Sequence, residues 1–218
     1  EIVCGATYIT PNVAAPVWCS AIEKLLTDAA AMFNALLGLA TRQKASTRHA
    51  ARLYGAVVAR ARDPLFFARF DVPDTFDGRF EALVLHLFLL HHRFKDGSDE
   101  ARAVSQDVFD AFINDMDAAL REAGVGDQTV PKRINKMTRV FYGRTGAMEK
   151  AIDAENPIGT MAEVMARNVR PDQDDVTVAD RALGAYLLDG VERLSSMSEA
   201  DIFASDLPWP PVPQEEAA

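Results

Sequence analysis

From about residue 20 to residue 197, apolar residues return every three or four positions and almost nowhere every second one. A chain patterned this way buries one stripe of each helix and offers no alternating face to a sheet, so the expected fold class is all-α. The breakers Asp63-Pro64, Val72-Pro73, Asp96-Gly97, Gly124 with Gly126, Asn156-Pro157 and Arg170-Pro171 cut the pattern. The cuts predict helices over about 20–42, 47–62, 75–94, 99–123, 131–153, 158–169 and 177–197, with a short turn at 64–70. That is a single compact multi-helix domain of about seven helices. The ending PWPPVPQEEAA cannot run as a helix through its prolines and is expected to be an extended, mobile tail. Three segments follow: 1–45 as an extension with an amphipathic helix, 46–200 as the helical domain and 201–218 as the Pro-rich tail.

The N-terminal segment reads in two ways. Met32 opens MFNALLGLATRQK like a native start, which would make 1–31 an upstream addition. Against that, Ser20 to Glu23 has capping-box spacing, and Ile22, Leu25, Leu26, Ala29, Phe33, Leu36 and Leu37 continue one helical stripe through Met32. Residues 1–17 have no basic n-region of a secretory signal.

A survey for chemistry finds no assembled active site. Cys4 and Cys19 are the only cysteines, so no thiolate cluster can form, and no disulfide can reach the chain beyond residue 19. There is no H-E-x-x-H, G-x-S-x-G, P-loop or G-x-G-x-x-G. His86, His91 and His92 are spaced so that no two share a helix face at four residues. His86, inside ALVLHLFLL, reads as a satisfied core histidine and His91 and His92 as the polar end of their helix, with an axial haem ligand for one of the three as the alternative. Asp107, Asp110, Asn114, Asp117 and Arg121 form one stripe on the 99–123 helix, opposite Val108, Phe109, Phe112, Ile113, Met116, Ala119 and Leu120, and an exposed stripe does not converge on a metal. The DQDD cluster at 172–175 faintly suggests an Mg²⁺-binding motif, but no second one exists, and a solvated loop is the better reading. No metal, no cofactor and no catalytic residue is expected. The longest apolar run, Ala82 to Leu90, is interrupted by His86 and is far short of the roughly 20 residues that span a bilayer.

Charge is the other signal. The chain carries a net −9, yet residues 32–70 hold seven bases against Asp63 alone, and residues 131–150 hold six against Glu149. Within VPKRINKMTRVFYGR, a helical wheel puts Ile134, Met137, Phe141 and Met148 on one face and Lys132, Lys136 and Arg139 on the opposite one. Cations near a helix N-terminus oppose its dipole, a mild cost that points to a binding surface. The plainer reading is a solvated face balanced by acids elsewhere.

Two blocks carry a resemblance. YGAVVARARDPLFFARFDVPDTFDGRFEALVLHLFLLHHRFK (Tyr54 to Lys95) and DVFDAFINDMDAALREAGVGDQTVPKRINKMTRVFYGR (Asp107 to Arg144) together resemble the ubiquinol-cytochrome c chaperone family, over roughly residues 53–169. The resemblance implies a non-enzymatic assembly factor for ubiquinol-cytochrome c reductase, respiratory complex III. Such a protein binds newly synthesised cytochrome b at the inner membrane and supports its haem acquisition and incorporation. It also implies a cytoplasmic protein peripherally associated with that membrane, on the matrix side in a mitochondrion. A mitochondrial member works near the ribosomal tunnel exit with a small partner subunit. No transit-peptide-like stretch precedes the helical domain, which favours a bacterial member acting alone. Arg79 in GRFE and Arg133, Tyr142 and Arg144 around FYGR match the family's motifs and are client-contact candidates. The plainer role for each is a structural salt bridge or hydrogen bond to the acidic helix, Arg79 above all. Lys132, Lys136 and Arg139, with the basic element that runs from Phe33 to Arg48, are expected to face an anionic membrane surface or the client. Two rival readings use the same residues: a ribosome- or RNA-binding helical module, and an all-α metal-dependent enzyme.

Overall fold

The computed structural model describes residues 46–173 and 175–212, and every regular element among them is helical. The first helix, α1, is described over 46–61. It is followed by α2 (Pro64–Phe70), α3 (Phe76–Phe94), α4 (Asp99–Glu122), α5 (Val130–Ile152), α6 (Pro157–Val169), α7 (Val178–Ser195) and α8 (Glu199–Ala204). The helix expected over 20–42, with its capping-box start, lies outside the described residues.

Most helix starts are capped by residues visible in the sequence. The carboxylate of Asp63 accepts from the Leu65 N–H ahead of Pro64, and the hydroxyls of Thr75 and Ser98 accept from Gly78 and Ala101. Asn156 caps α6, and Thr177 with Asp180 forms a capping box on α7. Helix α5 is the exception, because Thr129 has helical dihedrals and its side chain makes no capping bond. The α2–α3 turn is tight: Asp71 is left-handed (φ 53°), and a Cβ on Gly78 would lie 1.9 Å from the Pro73 carbonyl oxygen. Only glycine fits there.

Helix α3 is the centre of the domain. Every residue from Phe80 to Leu90 is buried, as an all-round apolar helix must be, and α3 touches α4, α5, α6 and α7. Helix α4 buries Ala101, Val104, Val108, Phe112, Met116 and Leu120, while Phe109, Ile113 and Ala119 of the stripe read from its spacing are half-buried. Burial of each Phe, Leu or Met side chain contributes about 1.5–3 kcal/mol. His86 is fully buried; its Nδ1 donates to the Ala82 carbonyl (2.7 Å), which leaves Nε2 to accept from the Tyr186 hydroxyl (2.9 Å). Arg60 Nε donates to the same tyrosine oxygen at 3.0 Å.

The chain beyond α7 differs from the sequence expectation. Ser198 caps a further short helix, α8, whose Glu199 accepts from both the N–H and the hydroxyl of Ser98 at the start of α4. The Pro-rich segment is extended, as expected, but its described part is docked rather than free. Leu207, Pro210 and Val212 are buried, and the Trp209 ring stands edge-on to His86 at 5.3 Å. Arg52 donates to the carbonyls of Ile202 and Ser205, and Arg60 to that of Pro210. The prolines forbid a helix, yet the apolar residues between them still find the core.

Candidate functional site

Helix α5 turns its apolar stripe inward, with Phe141 and Met148 buried and Ile134 and Met137 half-buried, while Lys132, Arg133, Lys136 and Arg139 are exposed. None of these four cations is in an ion pair among the described residues. Arg79, Lys95, Arg102, Arg121, Arg144, Arg170 and Arg193 all are. Four cations in no ion pair thus fall within eight residues in the N-terminal half of α5.

That half of α5 forms one wall of a cleft of about 910 Å³. The α2–α3 turn, the start of α3 as far as Glu81, Leu120 of α4 and the segment from Asn168 to Gln173 at the end of α6 supply the rest. Its lining is apolar at Phe80, Leu120, Met137, Val140 and Val169, and Phe76, half exposed, stands among the lining residues. Arg133 and Lys136 line it as well.

Two ion pairs are built into the cleft walls. Arg144 reaches Glu81 on α3 through Nη2 at 3.1 Å and Nε at 3.3 Å. Burial pushes the Glu81 carboxyl up, against the opposing pull of the Arg144 guanidinium. Arg170, itself buried, donates to Asp180 and Thr177 at the start of α7 and to the carbonyls of Phe70 and Asp71 at the end of α2. The end of α2, the end of α6 and the start of α7 are thus tied by one side chain.

The site residues expected from sequence divide into groups. Arg133, Lys136 and Arg144 line the cleft, whereas Lys132 and Arg139 do not. Arg79 is exposed and pairs with Asp74 in its own turn at 2.6 Å, holding that carboxyl below its usual range. Tyr142, half exposed, packs on Phe109 and Phe141 (centroids 5.6 and 5.3 Å) and lines a smaller pocket of about 230 Å³ with His91, Lys95 and Arg102. Among the described residues the acidic helix α4 is in no ion pair with Arg79, Lys132, Arg133, Lys136, Arg139 or Arg144. Its Asp107 and Asp115 accept from Ser46 and Tyr54 of α1, and Asp117 holds Arg121. Sequence reasoning missed Glu81, Arg170 and Asp180. An acid directly ahead of the apolar run ALVLHLFLL was the available signal for Glu81, because a buried carboxylate needs a cation.

Among the described residues no group of His, Cys, Asp or Glu is placed to hold a metal, and no helix is long and apolar enough to cross a membrane. Residues 68–209 match the family model described as Ubiquinol-cytochrome C chaperone. The chain belongs to the ubiquinol-cytochrome c chaperone family. The matched stretch holds the whole cleft and ends at Trp209, in the docked tail. The chain is 42% identical to a solved structure described as the Cbp3 homolog from Brucella abortus, with a TM-score of 0.72, over 82% of this chain and 98% of that one. It is also 22% identical over 169 residues to the Ubiquinol-cytochrome-c reductase complex assembly factor 1 of Xenopus laevis, covering 77% of this chain and 84% of the relative. The family is one of chaperones and implies a binding role rather than catalysis.

Proposed function

We propose that this protein is an assembly chaperone of ubiquinol-cytochrome c reductase that holds newly synthesised cytochrome b at the inner membrane while the client acquires haem and joins the complex. Family membership supports the reading at the level of the complex. The observation that carries it in this molecule is the run of unpaired cations on α5 beside an apolar-lined cleft. A protein that is otherwise acidic gains about 1 kcal/mol per Lys or Arg brought near anionic headgroups, and its remaining negative charge opposes indiscriminate adhesion. In this reading Lys132 and Arg139 touch the membrane, Arg133, Lys136 and Arg144 face the client, and Arg79 and Tyr142 are client contacts outside the cleft.

Deletion of the gene in the source cell tests the role. The expected result is loss of spectroscopically detected haem b and of assembled complex III, with other respiratory complexes retained and the defect reversed by the intact gene. Normal complex III in the deletion strain contradicts the proposal. For the membrane contact, Lys132→Glu with Arg139→Glu is expected to reduce co-sedimentation with anionic liposomes, and unchanged co-sedimentation sinks that part.

A further inference from the structure

The cleft fits one kind of occupant better than an apolar stretch at large. We propose that it seats an amphipathic helix of the client whose apolar face is flanked by an acid on one side and a base on the other; this rests on the chaperone reading above.

The lining narrows the choice in three steps. First, the cations available to a ligand there are few. Arg144 is held by Glu81 and Arg170 by Asp180, so Arg133 and Lys136 are the cleft-lining cations without an ion-pair partner among the described residues. At 100° per residue Val140 falls between them on α5 and Met137 lies about 40° beyond Arg133, so a carboxylate bound to them lies beside an apolar contact. Second, the acids come from other elements. Asp77 on α3 and Asp172 after α6 are exposed, line the cleft and are in no ion pair among the described residues. Unpaired positive charge on α5 and unpaired negative charge on α3 and the post-α6 segment make the cleft bipolar. A ligand with complementary charges on its two flanks is held in one direction, and a reversed ligand meets like charge on both sides. Third, the lining offers no strand edge. An extended segment would place unpaired backbone N–H and C=O groups against Phe80, Met137 and Val169, whereas a helix satisfies its own backbone and presents an apolar ridge. Phe76, exposed and among the lining residues, is placed to cover that ridge.

Overlapping peptides tiling cytochrome b, read by fluorescence anisotropy against the full chain, test the assignment. The tight binders are expected to be helical segments carrying both charges. Arg133→Glu with Lys136→Glu should weaken them about tenfold or more, and Lys132→Glu with Arg139→Glu, the same change in net charge outside the cleft, by less than about twofold. Equal binding by uncharged apolar peptides, or equal loss from the two double variants, overturns the assignment. A photo-crosslinking phenylalanine analogue at position 76 or position 139, used in native membranes, separates this inference from the reading beneath it. Cytochrome b captured from position 76 supports the cleft. Capture from position 139 alone leaves the chaperone reading standing and removes the cleft from it, and capture from neither overturns both.

Discussion

Glu81 shows how a single residue links the core to the cleft. Its carboxyl sits on the most buried helix of the domain, and desolvation raises its pKa even with Arg144 beside it. The pair is separated by 63 residues in sequence, so helical periodicity could not reveal it. Removing the cation alone leaves a buried acid with no partner. Arg144→Met is therefore expected to destabilise the domain by about 1–3 kcal/mol in urea unfolding, and Glu81→Leu added to it should return most of that loss. His86 supplies a second residue-level prediction. Burial pushes its pKa down from 6.5 to about 4, so below the unfolded value the unfolded chain takes up a proton that the folded chain refuses. The associated stability is present above pH 6.5 and is lost as pH falls towards 4, about 3 kcal/mol in all. Glu81 acts in the opposite sense, favouring the fold at low pH and losing that contribution as pH rises through its raised folded value. Equilibrium unfolding of His86→Phe across this range should show a shallower acid slope than the wild type.

At the scale of elements, the helices and their stops were legible because caps and breakers are local. Asp63, Thr75, Ser98, Asn156 and Thr177 all cap where the pattern begins. Helix α8 was not legible, since six residues carry too little periodicity and its anchor, Glu199 on Ser98, is a long-range contact. The docked tail was missed for a related reason: prolines signal extension but not whether Leu207, Trp209 and Val212 find a groove. The α5 wheel named Lys132, Lys136 and Arg139 and the family resemblance Arg133, yet the separation of the four into a cleft-lining pair and an outer pair needed α3 and α6 in place. The junction of α2, α6 and α7 rests on Arg170 and Asp180, both buried. Asp180→Ala removes the capping-box acid and strands the guanidinium, with an expected cost of about 3–5 kcal/mol in thermal or urea unfolding. Asp189→Ala, which breaks an exposed pair with Arg193 in the middle of α7, should cost well under about 1 kcal/mol.

For the molecule as a whole, the segregation of charge matters more than its total. The core and the docked part of the tail pack together, and Lys132, Arg133, Lys136 and Arg139 of α5 are in no ion pair among the described residues. The tail contributes to rigidity: truncation after Ser205 removes Leu207, Trp209 and Val212 from the core and is expected to cost about 2–4 kcal/mol. Because Trp209 covers His86, truncation should also return the histidine towards its ordinary pKa and shrink the acid-linked loss of stability. The central claim is that this domain holds newly made cytochrome b. Affinity capture of the tagged full chain from gently solubilised native membranes, scored for cytochrome b by mass spectrometry and for haem b by its reduced spectrum, tests it most directly. The account predicts cytochrome b enriched over other membrane proteins and diminished with Arg133→Glu and Lys136→Glu. Capture of ribosomal proteins and RNA without cytochrome b would contradict it.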